Sequence, residues 1–88
     1  MELIIICIIG WIDASQDNTM DSYPIEHDLP TPLTISSGYL VKEDSDKVII
    51  ARECFLENNR VNQVRGRIAI PRIMIKFMVK FKMEVKDG

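Results

Sequence analysis

Apolar residues along the chain recur with the two-residue period of β-strands. The clearest case lies between Arg72 and Lys86, where every odd-numbered residue from Ile73 to Val85 is apolar and most even-numbered residues are charged. Successive residues of a strand point to opposite faces. The pattern therefore predicts a strand over 73–85 with a buried apolar face and a mostly cationic face.

The first apolar run, Leu3–Ile12, is rich in isoleucine, whose branched side chain favours strands. Because it is apolar at nearly every position, such a strand must lie inside a sheet or beneath a cover. Its ten residues are about half the length of a membrane-spanning helix, and Glu2 stands where a secretion signal is basic. We predict a buried strand, with a signal or anchor segment and a hydrophobic helix as alternatives.

Two more strands are predicted at Leu33–Lys42 and Lys47–Leu56. The polar run Glu43–Asp46 between them has the length of a hairpin turn.

A second polar connection is predicted over 57–64, with Asn58-Asn59 as its tightest turn, because asparagine tolerates turn conformations. A short strand at Arg67–Ile70 follows. Pro71 then interrupts the ladder, since proline cannot donate a backbone hydrogen bond.

Five strands within 88 residues and 10.1 kDa leave room for one domain. With bends at Gly38 and Pro71, the predicted fold class is all-β, with little helix: a five-stranded, strongly bent barrel. The polar segment 14–32, which contains three prolines, is an insertion, and 86–88 is a tail. A barrel this small has a modest core and exposed strand edges, so we expect a homo-oligomer.

Few residues offer catalytic chemistry. His27 stands between two acids in the polar insertion and is interpreted as a solvated loop residue, with a metal or acid–base role as the alternative. Cys7 and Cys54 lie in apolar runs, which favours reduced thiols in an intracellular protein. The four glycines form no phosphate-cradling loop. We therefore predict no enzymatic activity, no metal and no cofactor.

The net charge of −2 conceals a division of the chain. Residues 1–46 carry nine acids and one base (−8), and residues 47–88 carry ten bases and four acids (+6). Such asymmetry favours an anionic ligand or the association of unlike faces, unless the two halves intermix in space.

The basic half contains a compact group of guanidinium side chains at Arg65, Arg67 and Arg72. Arginine binds phosphate through two parallel hydrogen bonds, and its plane stacks on bases. Tyr39 and Trp11 are candidate stacking faces for a nucleobase, although Trp11 is interpreted first as a core residue. Solvated or salt-bridged arginines are the competing interpretation.

The sequence resembles Sm proteins. Gly38–Asp44 fits the Gly-x-Leu-x-x-x-Asp core of the first Sm motif, Val48–Ile50 supplies the strand after it, and Ile68–Ile75 matches the junction of the fourth and fifth strands. The chain looks more specifically like small Sm-like proteins of bacteriophages, which carry the Trp-x-Asp found here at Trp11–Asp13. The resemblance spans most of residues 8–81.

This resemblance implies a cyclic assembly and a ligand site formed by two loops, here Glu43–Lys47 and Pro71–Met74. It places Arg72 and Lys47 on a phosphate and Tyr39 near a base, with Arg65 and Arg67 as further candidates. The mechanism would be stoichiometric binding rather than catalysis.

The uridine pocket of RNA-binding Sm proteins is not carried over, because its asparagine and its Arg-Gly pair are replaced by Lys47-Val48 and Pro71-Arg72. The expected function is a non-enzymatic nucleotide-binding module that binds short RNA or sequesters a small phosphorylated nucleotide. The expected location is the cytoplasm of an infected bacterium, with no membrane partner. The alternative is a structural or protein-interaction subunit without a nucleotide ligand.

Overall fold

The computed structural model describes residues 3–12 and 33–85 of the chain. They form one five-stranded antiparallel sheet with the strand order β4-β3-β2-β1-β5. The all-β class and the five strands are confirmed. The predicted insertion 14–32, with His27, and the tail 86–88 lie outside the described residues. The strands and the single 3₁₀ turn before the last strand are β1 (Leu3–Trp11), β2 (Thr34–Glu43), β3 (Lys47–Glu57), β4 (Arg60–Pro71), the turn Arg72–Met74 and β5 (Ile75–Glu84).

The isoleucine-rich strand β1 lies inside the sheet, between β2 and β5. Its sequence is apolar at consecutive positions because both of its faces contain buried residues, Cys7 and Ile9 on one face and Ile4 on the other. The prediction of a buried strand is therefore confirmed, since Ile4, Cys7 and Ile9 have at most 5% of their surface exposed.

The two hairpin turns follow from side-chain chemistry. The Asp44 carboxylate accepts hydrogen bonds from the backbone N–H groups of Asp46 (2.8 Å) and Lys47 (2.9 Å), which closes the β2–β3 turn. Asn58 and Asn59 both adopt positive φ, 55° and 63°, as a two-residue hairpin turn requires.

The tight turn at Asn58-Asn59 is confirmed, but the polar connection predicted over 57–64 is wrong. β3 continues to Glu57 and β4 begins at Arg60, so the predicted short strand Arg67–Ile70 is the end of a twelve-residue strand. Polar composition misled the prediction, because this part of the hairpin pairs with no third strand and both of its faces meet solvent. β2 pairs with β3 only as far as Ala51.

The sheet is strongly coiled, and the 3₁₀ turn shows by how much. Pro71 ends one edge strand beside Lys47, whereas Ile75 begins the other edge strand beside Trp11 at the opposite end of the sheet. In a flat sheet these two corners would be separated by four strand spacings across the sheet and by about nine residues along the strands. The diagonal distance between them would be about 35 Å. The four residue steps from Pro71 to Ile75 span at most about 14 Å. The sheet must therefore coil until opposite corners meet.

Two backbone hydrogen bonds hold the joined corners. The Arg72 N–H donates to the Asp46 carbonyl (2.9 Å), and the Ile12 N–H donates to the Met74 carbonyl (3.0 Å). One turn thereby ties the β2–β3 hairpin to the far end of β1.

The core fills the inside of this coil. Its fully buried cluster consists of Cys7, Ile9, Val48, Ile50 and Ile70. Half-buried side chains of the same face pack against it, namely Ile5, Trp11, Leu40, Ile75 and Met78. We call this side of the sheet the inner face and the opposite side the outer surface.

The indole of Trp11 belongs to this core, as its first interpretation predicted. It packs on the cluster while Nε1 donates to the Ser36 hydroxyl (3.0 Å).

The strand predicted over 73–85 is confirmed from Ile75 to Glu84 as β5, since residues 73 and 74 belong to the 3₁₀ turn, but the prediction that its odd-numbered residues are buried is wrong. Phe77 and Phe81 are 42% and 51% exposed. The cause is a register shift: Trp11 pairs with Ile75 but Gly10 pairs with Phe77, so β5 holds one extra residue there. A one-residue shift exchanges the faces. Ile75 therefore faces inward, whereas the odd-numbered residues from Phe77 onward face outward.

Substitution of Gly38 tests how closely β2 and β3 approach each other. A Cβ on Gly38 would lie 2.6 Å from the carbonyl oxygen of Ala51. Alanine loses less backbone freedom on folding than glycine does, and this effect alone would make Gly38→Ala stabilising by about 0.5–1 kcal/mol. We expect the clash to reverse this sign and to destabilise the fold by about 1–3 kcal/mol in urea unfolding. Ser37→Ala, the exposed neighbouring residue, is the control and should change stability by less than about 0.5 kcal/mol. A stabilised Gly38→Ala variant would contradict the described register.

Candidate functional site

Strand register brings four of the five predicted site residues onto the outer surface. Directly paired residues of neighbouring strands point to the same face. Tyr39 and Arg67 both pair with Ala51, and Ala51 lies on the face opposite to Ile50 of the core. By the same alternation Lys47 and Arg65, like Lys42 opposite Ile49, face outward. We call the set Tyr39, Lys42, Lys47, Arg65 and Arg67 the cationic half of the outer surface.

The centre of this half is a row of three residues. Tyr39, Ala51 and Arg67 lie side by side on β2, β3 and β4. The outer two are therefore about 10 Å apart between backbones, two strand spacings. Ala51 is fully buried although it points outward. A phenol ring and a guanidinium group thus lie on either side of a small apolar residue. A ring can stack on a base, and a guanidinium can bind the attached phosphate.

Arg65 is engaged on the exposed part of the β3–β4 hairpin. Its Nε donates to the Glu53 carboxylate (2.8 Å), and its guanidinium carbon lies 5.0 Å from the centre of the Phe55 ring. Hydrogen bonding from Arg65 lowers the pKa of Glu53. Because both partners are largely exposed, this pair holds Arg65 in place without contributing much to stability.

The backbones of Lys47 and Arg72 lie close together, but their side chains point in different directions. Lys47 pairs with Pro71, the residue before Arg72. The Arg72 side chain instead reaches Glu43, which pairs with Val48 and shares the inner face. There its Nε donates to the Asp44 carbonyl (2.7 Å) and its Nη2 donates to the Glu43 carboxylate (2.9 Å). The predicted contact of both side chains with one phosphate stays a prediction. The geometry gives Arg72 a different role, because its two hydrogen bonds clamp the β2–β3 turn.

Glu43 is the site residue that sequence reasoning missed. Its carboxylate accepts hydrogen bonds from Lys80 and from Arg72. These contacts hold the pKa of Glu43 below its usual 4.5, with Lys80 as the largest cause. Nothing in the sequence pairs residues 43 and 80, and in a flat sheet they would be too far apart to touch. Only the coil of the sheet brings them together.

The remaining acidic and thiol groups near the site offer little independent chemistry. Backbone N–H groups, that of Lys47 first, lower the pKa of Asp44 and occupy its carboxylate. Within residues 3–12 and 33–85, no three His, Cys, Asp or Glu side chains cluster as metal ligands. Burial raises the pKa of both free cysteines, Cys7 and Cys54, which favours the unreactive thiol form.

Comparisons with protein-family models, curated proteins and solved structures find no match. Among the described residues, no helix has the length and apolar character needed to cross a membrane.

Because Glu43 accepts hydrogen bonds from Lys80 and Arg72, its contribution to stability should depend on pH. Its pKa is lowered in the folded state, so its stabilisation is complete above 4.5 and is lost as the pH falls through the folded-state value. We expect Glu43→Gln to reduce the free energy of unfolding by about 1 kcal/mol at pH 7. The difference from the wild type should shrink in urea unfolding below pH 4.

Glu53→Gln is the matched control, because it removes the exposed pair with Arg65 and leaves the joined corners intact. Its effect on stability should be smaller than that of Glu43→Gln at pH 7. Equal effects would show that Glu43 is an ordinary surface ion pair.

Proposed function

We propose that this chain is a non-enzymatic Sm-like module that binds a nucleotide on the cationic half of its outer surface. The ligand is either a short single-stranded RNA or a small phosphorylated nucleotide, since both present a base beside a phosphate. One observation carries the proposal: the register sets Tyr39 and Arg67 on either side of buried Ala51, with two lysines on the same face.

An Sm-like barrel is supported by the path of the chain. Five strands in the order β4-β3-β2-β1-β5 are coiled until opposite corners meet at the 3₁₀ turn Arg72–Met74. Closure of this coil into a barrel encloses the buried cluster on the inner face and leaves the outer surface free for a ligand.

In the proposed binding mode, a base stacks on Tyr39 while Arg67 binds the adjacent phosphate. Stacking of a base on an aromatic side chain contributes about 1–3 kcal/mol. Lys42 and Lys47 add positive potential beyond the first nucleotide. Arg72 is a positioning residue, because it fixes the turn from which Lys47 begins β3.

Assembly is the second part of the proposal. β4 and β5 are the sheet edges, and each leaves one side of its backbone unpaired within the described residues. Pairing of the β4 edge with the β5 edge of the next copy is a head-to-tail contact, which closes into a ring when the rotation permits. The module would act as a cyclic homo-oligomer in the cytoplasm of an infected bacterium.

A protein-interaction subunit is the second candidate function. It is favoured by the exposure of large apolar side chains on the β1–β5 side of the outer surface, such as Phe81 at 51%. Exposed apolar side chains in contiguous patches mark protein contacts.

Calorimetry with a short single-stranded RNA of mixed sequence and a panel of cyclic dinucleotides tests nucleotide binding. Arg67→Ala should lower the affinity about tenfold to hundredfold, as loss of a charge-assisted phosphate contact does. Tyr39→Ala should lower it by a similar factor through lost stacking. Arg60→Ala, an exposed arginine at the hairpin tip, is the control and should change it less than about twofold.

Arg72→Ala separates positioning from direct contact. We expect it to reduce both stability and affinity, whereas Arg67→Ala leaves the unfolding curve unchanged. Equal small losses for Arg60→Ala and Arg67→Ala would show that only diffuse charge acts. Absence of binding to every nucleotide would favour the interaction subunit.

A further inference from the structure

Two cations converge on one carboxylate at the rim of the inner face. The Arg72 guanidinium donates from Nη2 to one oxygen of Glu43 (2.9 Å), and the Lys80 ammonium donates to the other oxygen. These side chains come from the 3₁₀ turn, β2 and β5, and they are 36%, 28% and 39% exposed. An anion from solvent can therefore reach the cluster.

The two cations are held in place without help from Glu43. Arg72 is anchored independently, because its Nε donates to the Asp44 carbonyl (2.7 Å). Lys80 is positioned by β5, where it pairs with buried Cys7 of β1. Glu43, by contrast, is the last residue of β2, and the turn after it is closed by the Asp44 carboxylate. Departure of the Glu43 carboxylate would leave two preorganised donors directed at the same point.

The charge of the cluster favours a doubly negative group over a carboxylate. Arg72 and Lys80 carry two positive charges and Glu43 carries one negative charge, which leaves an excess of +1. Lys82 and Glu84 follow on the same face of β5 and offset each other. A phosphate dianion neutralises both cations, and its tetrahedral oxygens accept strong hydrogen bonds from guanidinium and ammonium groups.

We propose that Arg72 and Lys80 form a binding site for a phosphate dianion, and that the Glu43 carboxylate occupies this site as an internal anion. The ligand is free phosphate or the terminal phosphate of a larger molecule. It takes the place of the carboxylate between the same two cations, so the contact of the 3₁₀ turn with β5 is kept. Glu43 is thereby autoinhibitory, since phosphate binds only the fraction of molecules in which the carboxylate has moved away.

This site is separate from the proposed nucleotide site, which lies on the outer surface, and the inference does not rest on it.

An NMR titration of the full chain with inorganic phosphate at about pH 8, where phosphate is a dianion, tests the inference. Glu43→Gln should raise the affinity about tenfold, because every molecule then offers the site and the repulsion by the carboxylate is gone. The double variant Glu43→Gln/Lys80→Gln should lose this gain. Glu53→Gln is the matched control, since it releases only Arg65 on the outer surface, and it should change the affinity less than about twofold.

Urea unfolding provides a second measurement on the same variants. Phosphate should raise the urea midpoint of Glu43→Gln more than that of the wild type, because a ligand that binds only the folded state stabilises it. Phosphate also stabilises folded proteins in general, and the shift seen with Glu53→Gln measures that general effect.

Two phosphate esters identify the form of the ligand. Methyl phosphate is a dianion, like a terminal phosphate, whereas dimethyl phosphate has a single charge, like the backbone of RNA. If Glu43→Gln binds methyl phosphate as tightly as inorganic phosphate, the site accepts a terminal phosphate. If methyl phosphate does not bind, the site is one for free phosphate, and either result upholds a dianion site. Dimethyl phosphate should bind several-fold more weakly, and equal binding would overturn the assignment.

Two further outcomes would contradict the inference. The first is a Glu43→Gln affinity no higher than that of the wild type. The second is a gain that persists in the double variant, since diffuse charge would then be its cause. Adding Arg67→Ala to Glu43→Gln should leave the phosphate affinity unchanged even where nucleotide binding is lost. If Arg67→Ala removes the gain, the phosphate lies on the outer surface and the inference is wrong.

Discussion

The structure depends on one constraint: a connection of three residues joins opposite corners of a five-stranded sheet. Arg72–Met74 spans a distance that a flat sheet would make about 35 Å, and it does so because the sheet coils. Backbone hydrogen bonds to Asp46 and Ile12 fix the junction on both sides. The buried core on the inner face and the contact of Glu43 with Lys80 follow from that coil.

Coiling gives the two faces of the sheet different chemistry. The inner face carries the small apolar cluster, which is fully buried although the chain is short. Glu43 and Lys80, distant in a flat sheet, meet across this face and brace the junction through Arg72. The outer surface has no such cover in the described residues. Its side chains are therefore partly exposed, among them Arg67 on β4 and Phe81 on β5.

Sequence pattern predicted the strands well because each depends on local chemistry. Isoleucines define β1, Asp44 and the two asparagines define the turns, and alternation defines β5. The pattern failed where a non-local event intervened. One extra residue opposite Gly10 shifts the pairing of β5 and turns its apolar side outward, and the two-residue period of the strand alone contains no signal for such a shift. Polar composition likewise hid the beginning of β4 at Arg60.

The site was only partly predictable for the same reason. Tyr39, Lys47, Arg65 and Arg67 were found by residue type, and their common face became visible only with the register. Residue type also suggested Arg72 as a phosphate ligand. Its partner Glu43 lies 29 positions away, and a contact of that separation depends on the coil rather than on local sequence.

Peroxide oxidation of two methionines tests the central claim most directly, because Met78 and Met83 are chemically identical probes on opposite faces of β5. Strict alternation over residues 73–85 places Met83 inside and Met78 outside. The shifted register reverses this, with Met78 against the core and Met83 42% exposed. Mass spectrometry of the wild-type chain should show Met83 oxidised several-fold faster than Met78. Equal rates, or faster oxidation of Met78, would contradict the coiled sheet and its two faces.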